Sequence, residues 1–272
     1  MVIFPNCKIN IGLNIVGKRA DGFHDLETIF YPVPIHDILE VLPSTHGDQF
    51  TQTGTPIEGP GSNNLCVKAL QLVRAAFPTL PAVHIHLHKA IPMGAGLGGG
   101  SSDGAHMLLL LNKKFNLAMS TQMMLDMALE LGSDCPFFIL NQPCFAWGRG
   151  EMMEPVELSL KGIQLVLINP GIHVNTGWAF SQIQPAAPAF SLKEITGIER
   201  KEWPAKIIND FQQPIAAQHS PIQQIVDYCY THGASFAAMT GSGSTCFALF
   251  DAGFALPTFA PFARYWIKTL VL

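Results

Sequence analysis

Charged residues are scarce in this chain of 272 residues. They make up 13% of it, against 48% hydrophobic residues, and the formal net charge is −4. The 16 Lys and Arg residues are scattered along the sequence. A general nucleic-acid-binding protein is more often basic, with clustered positive charge, so we expect no nucleic-acid partner. The hydrophobic content permits a substantial core, and the length suits one large domain or two modest ones.

Three features of secreted, membrane or zinc proteins are also missing. None of the six cysteines forms a Cys-x-x-Cys pair, which argues against a zinc site. No apolar run approaches the roughly 20 residues that span a bilayer. The first residues, Met-Val-Ile-Phe-Pro-Asn-Cys-Lys, lack the charged-then-apolar layout of a signal peptide. We therefore expect a cytoplasmic protein with unpaired thiols and no membrane partner.

The common nucleotide-binding signatures are incomplete. Gly94-x-Gly96-x-x-Gly99 matches the dinucleotide fingerprint as a string, but positions 119–121 read Met-Ser-Thr, where an acidic residue is needed. A Walker loop requires Gly-Lys-Ser/Thr, and no such tripeptide follows these glycines. The Val-Ala-Ile-Lys strand of protein kinases does not occur downstream. These absences argue against a dinucleotide-dependent oxidoreductase and against the commonest NTPases and kinases.

Glycine is instead concentrated in one segment, where five glycines lie between positions 94 and 100. The segment comprises Pro92, Met93, Gly94, Ala95, Gly96, Leu97, Gly98, Gly99, Gly100, Ser101 and Ser102. Glycine lets backbone N–H groups converge on an anion, and the apolar pattern of Ser101–Lys114 predicts a helix that follows. A glycine-rich turn that leads into a helix N-terminus binds phosphate well. A flexible linker is the alternative, but linkers seldom separate a patterned strand from an apolar helix.

Periodicity predicts a mixed α+β fold. Alternation over residues 9–15 indicates a half-buried strand, with Lys8 and Asn10 on its polar face. Ser62 and Ser120 are candidate N-caps of two helices, and residues 82–91 alternate like a strand with one wet face. Strand patterns recur at 37–42, 164–168, 234–239 and 246–250, and a helix pattern covers 221–231. Residues 153–161 carry no strong pattern, so we expect two domains, 1–155 and 156–272.

The glycine segment resembles the phosphate loop of the GHMP small-molecule kinases. Other motifs agree with that family and lie in its order: Lys8-Ile-Asn-Ile-Gly-Leu-Asn, Arg19-Ala-Asp-Gly-Phe-His, Gly132-Ser-Asp-Cys-Pro-Phe-Phe, Asn169-Pro-Gly, Asn209-Asp-Phe and Thr240-Gly-Ser-Gly. The resemblance implies two domains with a cleft between them and ATP-dependent phosphorylation of a small alcohol, with Mg²⁺ accompanying ATP. The Gly-Gly-Gly-Ser-Ser-Asp run is most similar to the branch of the family whose substrate is a cytidine diphosphate-linked methylerythritol.

The resemblance also implies the catalytic residues. Asp134 would orient the alcohol or accept its proton, and Lys8 would stabilise charge on the attacking oxygen. Taken from the residues alone, Asp134 could equally be the N-cap of a short helix that begins at Pro136. A lysine on the polar face of a strand is usually a solvated charge.

Contacts with ATP and with the substrate are implied in the same way. ATP would contact the loop residues 92–102 together with Asn64 and Lys89, and the substrate would contact Asn10, Phe23, His24, Thr176 and Phe180. Phe23 and Phe180 could stack on a cytosine ring and His24 could bind its edge. Without the resemblance, Phe180 would be read as core and His24 as a surface residue.

Some alternatives stay open at this stage. Another kinase of the family, of homoserine or mevalonate type, would share the loop, and a non-catalytic nucleotide sensor could share the fold. Cys135 is expected to be a small buried side chain, because no histidine lies near it in sequence. His84, His86 and His88 could ligate a metal, but an exposed polar strand face is the favoured interpretation. The stretch after Phe250 matches the family poorly.

Overall fold

The structure, a computed structural model, describes residues 1–57 and 60–272. These residues contain strands and helices in mixed order, which confirms the predicted α+β class. The strands are β1 Val2–Ile3, β2 Asn6–Lys18, β3 His24–His36, β4 Ile38–Pro43, β5 Gln49–Gly54, β6 Val83–Lys89, β7 Cys144–Gly148, β8 Met152–Pro155, β9 Gln164–Asn169, β10 Phe236–Met239, β11 Cys246–Phe250 and β12 Trp266–Val271. The helices are α1 Leu65–Ala76, α2 Gly99–Phe115, α3 Thr121–Leu131, α4 Cys135–Leu140, α5 Thr176–Ser181, α6 Trp203–Lys206, α7 Gln212–Gln218 and α8 Ser220–Thr231.

The strands form three four-stranded sheets, in the orders β1-β4-β6-β5, β2-β3-β7-β8 and β10-β11-β9-β12. The chain divides into two compact units. The first unit consists of Met1–Lys8, Pro32–Met93 and Gly98–Gln142, and the second of Ile9–Tyr31, Gly94–Leu97 and Pro143–Leu272. Each unit is therefore assembled from three separate chain segments.

In the first unit, helices α1, α3 and α4 pack against α2. Strand β6 alternates as expected: Val83, Ile85 and Leu87 are buried, and the histidines between them are partly exposed. It pairs antiparallel with β4 and parallel with β5. The exposed histidines bond to Thr51 and Thr53 of β5, which makes this face a polar sheet surface.

In the second unit, α8 packs on β10 and β11, and the sheet of β10, β11, β9 and β12 is antiparallel throughout. Its core includes Ile15, Val166, Phe211, Ile225 and Phe250. Strand β12 lies beyond Phe250 and pairs with β9. The segment that matched the family poorly thus supplies an edge strand of this sheet.

Helix caps explain where three of the helices begin. As predicted, Ser120 caps α3 by accepting a hydrogen bond from Met123 N, and the helix ends at Gly132. The prediction for Ser62 is wrong, because Asn64 caps α1 through a bond from Cys66 N. Residues 61–63 form a short 3-10 turn ahead of that cap. Helix α2 begins at Gly99, after Gly98 has adopted a left-handed conformation.

The polar face of β2 is not wet, which corrects the expectation of a half-buried strand. Residues 6–15 are all buried, and Lys8, Asn10 and Asn14 are each at most 3% exposed. Buried polar groups need partners. Lys8 pairs with Asp134 in the first unit, and Asn10 bonds to Thr28 in the second. Alternation in sequence therefore indicated the strand correctly but not its surroundings.

The structure also shows the state of the cysteines and the character of the helices. All six cysteines are unpaired and buried. Across residues 1–57 and 60–272, no helix is both long enough and apolar enough to cross a membrane.

Candidate functional site

The glycine loop has a repeated backbone feature. Gly94, Gly96 and Gly98 have φ angles of 59°, 77° and 69°, values in the left-handed region that favours glycine. The residues between them, Ala95 and Leu97, are buried. Alternate left-handed residues turn successive N–H groups inward and form an anion-binding concavity. The loop leads directly into α2, and the N-terminus of this 17-residue helix by itself favours an anion.

Gly96 is packed against the second glycine turn, residues 240–245. A Cβ atom at Gly96 would lie 2.1 Å from the carbonyl oxygen of Thr240. The Thr240 hydroxyl lies 3.2 Å from Gly96 O, and Thr245 N donates to Ala95 O at 3.2 Å. The two glycine motifs of the sequence therefore meet, and only glycine permits their close approach.

Lys8 and Asp134 form an ion pair next to the start of α2. Lys8 Nζ lies 3.7 Å from Asp134 Oδ2, and the Lys8 stem packs on Gly98, where a Cβ would lie 3.1 Å from Lys8 Cε. The lysine side chain is 4% exposed, whereas the aspartate side chain is 35% exposed. Burial lowers the pKa of Lys8, and the neighbouring Asp134 carboxylate opposes that shift.

The alternative role of Asp134 as a helix cap is not supported by its contacts. Asp134 occupies the N-cap position of α4, but its side chain makes no capping hydrogen bond. The carboxylate is directed to Lys8 instead. Cys135, the next residue, is buried, and desolvation raises the pKa of its thiol to about 12. A thiol of that pKa is a poor nucleophile at neutral pH, which agrees with the expected packing role.

The two serines of the loop differ in their surroundings. Ser102 is fully buried, and its hydroxyl lies 3.2 Å from His106 Nδ1 one turn along α2. Ser101 is partly exposed and contacts the Cys135 thiol. Ser101 is therefore the better placed of the two to reach a ligand from solvent.

Asn64 lines a cavity of about 270 Å³ in the first unit. Its side-chain oxygen caps α1 by accepting from Cys66 N at 2.9 Å. Met93 and Gly100 of the glycine loop line the same cavity, together with Phe50 and Asp103. The loop and the cap of α1 thus border one space of a size suited to part of a small molecule.

Lys89 is almost completely buried, with 1% of its surface exposed. Its ammonium group contacts Asp37 Oδ2 and lies 2.7 Å from Asp103 Oδ2. Burial disfavours the charged lysine, but the two carboxylates outweigh it, so the pKa of Lys89 is raised. Burial raises the pKa of Asp103 to about 7. Asp37 and Asp103 were not predicted as site residues, although Asp103 stands directly after the two loop serines.

Asn10 and Thr176 are the polar residues expected at the substrate. Asn10 Nδ2 donates to Thr28 Oγ1 at 2.9 Å, and its backbone N donates to Thr240 Oγ1 at 2.9 Å. Thr176 is the first residue of α5, and its hydroxyl lies 3.4 Å from that of Ser242 in the second glycine turn. Both residues therefore border the turn that packs on Gly96.

The expected aromatic residues lie in the second unit. His24 stacks on Phe180 with ring centroids 4.8 Å apart, and Phe180 meets Phe211 edge to face. The partly buried Phe180 therefore contacts the core through Phe211 and stacks on His24 at the surface. Phe23 is 54% exposed, and the guanidinium of Arg149 lies 5.0 Å from its ring centroid. An exposed aromatic ring beside a cation can accept a flat ring or an anionic group.

The predicted residues therefore divide into two sets. The first unit holds Lys8, Asn64, Lys89, Pro92, Met93, Gly98, Gly99, Gly100, Ser101, Ser102 and Asp134, and the second holds Asn10, Phe23, His24, Gly94, Ala95, Gly96, Leu97, Thr176 and Phe180. The first set combines a helix N-terminus, a cavity and the Lys8–Asp134 pair. The second combines the middle of the loop, the second glycine turn and the stacked aromatic pair.

Comparison with known families and proteins agrees with this geometry. Residues 64–148 match the model of the GHMP kinases N terminal domain, and residues 191–255 match the GHMP kinases C terminal model. The chain is 50% identical over 254 residues to a 4-diphosphocytidyl-2-C-methyl-D-erythritol kinase of Bacteroides fragilis, with 92% of each chain covered. It is 48% identical over 251 residues to the enzyme of that name from Parabacteroides distasonis, again with 92% of each covered.

Solved structures of GHMP kinases are also similar to this chain. A crystal structure of 4-(cytidine 5'-diphospho)-2C-methyl-D-erythritol kinase superposes with a TM-score of 0.80 at 29% identity, covering 100% of this chain and 99% of that one. The mevalonate kinase of Methanococcus jannaschii superposes with a TM-score of 0.68 at 13% identity, covering 99% and 97%. The second similarity is one of fold alone.

Proposed function

The chain belongs to the GHMP kinases and, within them, to the 4-diphosphocytidyl-2-C-methyl-D-erythritol kinase family, and we propose that it phosphorylates the 2-hydroxyl of 4-diphosphocytidyl-2-C-methyl-D-erythritol with ATP. GHMP kinases are small-molecule phosphotransferases, and ATP is their co-substrate. The proposed reaction is a step of the non-mevalonate route to isoprenoids. The relatives at about half identity bear this name, which favours this substrate over homoserine or mevalonate.

One observation carries the chemical part of the proposal: the Lys8–Asp134 pair lies beside Gly98, the residue that caps α2. In the reaction, the alcohol oxygen forms a bond to the γ-phosphorus while the bond from that phosphorus to the β,γ-bridging oxygen breaks, and ADP leaves. Asp134 orients the hydroxyl and accepts its proton, because its carboxylate is accessible and makes no capping bond. Lys8 stabilises the negative charge on the attacking oxygen. A non-catalytic sensor would need neither group.

The phosphates of ATP are proposed to bind to the glycine loop, residues 92–102. Its left-handed glycines and the N-terminus of α2 suit an anion, and Ser101 is accessible. We assign Asn64 and Lys89 to the surroundings of the nucleotide, Asn64 through the cavity that it shares with Met93 and Gly100. The described residues hold no group of three or more His, Cys, Asp or Glu side chains suited to a metal. Mg²⁺ would therefore be held chiefly by the ATP phosphates and water, and it would neutralise charge on the transferred group.

The cytidine end of the substrate is assigned to the second unit. Phe180 and Phe23 offer ring faces for the cytosine, and His24 offers a ring nitrogen for its edge. Asn10 and Thr176 are assigned to polar groups of the substrate. Their position beside the second glycine turn supports this assignment.

Three coarser features complete the proposal. We place the boundary of the family's N- and C-terminal domains between residues 155 and 156, where β8 ends and between the two matched segments. We propose a cytoplasmic location, because ATP and the cytidyl alcohol are water-soluble metabolites. For the same reason the partners of the protein are small molecules rather than nucleic acid or membrane.

The test is ADP release from Mg·ATP with the cytidyl methylerythritol substrate, for wild type and Asp134→Asn. We expect substrate-dependent turnover in the wild type and a loss of about 10²-fold or more in the variant, with ADP binding retained. Homoserine and mevalonate serve as control substrates. Turnover of either control without turnover of the cytidyl compound would refute the substrate, and full activity of Asp134→Asn would refute the role of Asp134.

A further inference from the structure

Three ionisable side chains are buried beneath the start of α2, within the first unit. The side chains of Asp37 and Lys89 are 0% exposed, and that of Asp103 is 3% exposed. Lys89 Nζ contacts one carboxylate oxygen of each aspartate. One ammonium group therefore bridges two carboxylates that are 66 residues apart in the chain.

Asp37 also holds the backbone that leads into the glycine loop. Its Oδ1 accepts hydrogen bonds from Ala90 N at 2.6 Å and from Ile91 N at 2.9 Å. These two residues come directly before Pro92, the first residue of the loop. The carboxylate thereby fixes two consecutive peptide groups at the point where β6 has just ended.

Asp103 and Lys89 reach the segment that follows the loop. Asp103 lies in the second turn of α2, and a Cβ atom at Gly99 would lie 3.3 Å from Lys89 Nζ. The ammonium group thus lies against the first residue of the helix. The contacts of the Asp37, Lys89 and Asp103 side chains, beginning at the backbone N–H of Ala90, therefore connect the chain before the loop with the chain after it.

We propose that Asp37, Lys89 and Asp103 form a clamp that holds the two ends of the glycine loop at the spacing required for ATP binding, so that Asp37 and Asp103 are positioning residues of the reaction. This inference rests on the proposed function in one respect, which is that the loop binds the phosphates of ATP. It assigns no contact with ATP to either aspartate.

The buried charges of the clamp argue against a role in stability alone. Burying an ion pair costs desolvation free energy, and well-packed apolar side chains of similar volume are often at least as stabilising. The clamp also carries more carboxylates than cations, and burial raises the pKa of Asp103 to about 7. Among the described residues, Asp103 Oδ1 is buried without a hydrogen-bond partner. A geometry fixed by a directional ammonium bridge gives the loop a unique shape, which an apolar cluster would specify less well.

The test compares two substitutions at one position. Asp103→Asn keeps an oxygen that can accept from Lys89, whereas Asp103→Ala removes it. Asp48→Ala is the matched control, because Asp48 also accepts from a backbone N–H at one end of β6, that of Val83, and pairs with Arg74. The measurements are the KM values for ATP and for the alcohol substrate, the Kd of ADP, and thermal unfolding, with kinetics recorded well below each Tm.

We expect Asp103→Ala to raise the KM for ATP and the Kd of ADP by about tenfold or more, because a misplacement near 1 Å can cost up to about 10²-fold. The KM for the alcohol substrate should stay within about threefold. Asp103→Asn should bind ADP within about threefold of wild type, and Asp48→Ala should lose stability only. A structural role alone would lower the Tm and leave both KM values of the folded fraction unchanged, which would overturn the inference.

A second variant covers the case in which Asp103→Ala does not fold. Lys89→Met combined with Asp103→Ala removes both charges of one pair and leaves Asp37 with its two backbone donors. Weakened ADP binding by this folded variant supports the clamp, whereas wild-type binding, or failure of both variants to fold, overturns it. If wild type binds ADP but phosphorylates no alcohol, the proposed function fails while the clamp is still judged by the Kd of ADP.

Discussion

Substitution of Gly96 by Ala tests the contact between the two glycine motifs. Gly96 has φ 77°, and an added Cβ would lie 2.1 Å from the carbonyl oxygen of Thr240. That atom belongs to the backbone, so no side-chain rotation relieves the overlap. The loop or the second glycine turn must move by at least about 1.3 Å, from 2.1 Å to 3.4 Å, before the contact becomes ordinary.

Gly253 provides a control with the same backbone conformation and no overlap. Its φ is 74°, and nothing lies within 4 Å of an added Cβ. A non-glycine residue in the left-handed region costs about 1–2 kcal/mol. For a chain of this size, that loss lowers the Tm by about 2–4 °C per kcal/mol. We expect Gly253→Ala to show this loss and to bind ADP normally.

Gly96→Ala should lose more stability than Gly253→Ala and should also bind ADP about tenfold to a hundredfold more weakly, because a shift near 1 Å disturbs the phosphate loop. The assays are thermal unfolding and calorimetric titration with ADP, measured on both variants under one set of conditions. Equal Tm shifts and equal ADP affinities in the two variants would refute the reasoning, since the overlap with Thr240 would then have no consequence.

Two further predictions concern the aromatic pair and the buried clamp. Phe180→Ala should raise the KM for the cytidyl substrate by about tenfold while the KM for ATP stays unchanged. The substitution removes a ring proposed to stack on the cytosine, and His24 also loses the ring on which it stacks. Equal changes in both KM values would contradict this prediction. Burial raises the pKa of Asp103 to about 7, so between about pH 4 and pH 7 the folded chain keeps a proton that the unfolded chain has lost. The resulting stability is complete below about pH 4 and is lost as the pH rises through 7. Urea unfolding between pH 5 and pH 8 should therefore show the stability of wild type falling relative to Asp103→Asn, and a constant difference would argue against the raised pKa.

Local patterns in the sequence predicted the elements around the loop well. The helix expected at Ser101–Lys114 is Gly99–Phe115, and the strand expected at 82–91 is Val83–Lys89. Both have a strong apolar periodicity, and both adjoin the glycine segment at one end. Ser120 was also predicted correctly as the N-cap of α3. In these cases the preferences of neighbouring residues agree with the final fold.

Choices between two similar residues could not be made from the sequence. Ser62 and Asn64 have comparable N-cap preferences and lie two residues apart. Asn64 caps α1, because Ser62 lies within the 3-10 turn that residues 61–63 form ahead of the helix. The polar face of β2 presents the same difficulty, since alternation is identical whether the polar side is covered by water or by protein. Lys8 and Asn10 are covered, and each has a protein partner.

The clamp could not be predicted because its three residues are remote in sequence and carry no common motif. Asp37 stands alone between two strands, Lys89 ends a third strand, and Asp103 lies in a helix. Only the pairing of β4 with β6 brings the residue before β4 next to the residue that ends β6. Proximity of this kind depends on sheet register, which is a property of the folded unit rather than of any one segment.

The burial of Lys89 bears on how the loop would recognise phosphate. A lysine near a phosphate loop is usually expected to neutralise the ligand directly. Here the ammonium group already contacts two carboxylates and is removed from solvent. On the proposed function, its effect on ATP is therefore exerted through the position of Gly99 and of residues 90–91, while the phosphate charge is met by backbone N–H groups, the dipole of α2 and Mg²⁺. Such an arrangement fits a chain with few charged residues, because a fixed set of peptide dipoles can hold an anion where a cluster of cations is lacking.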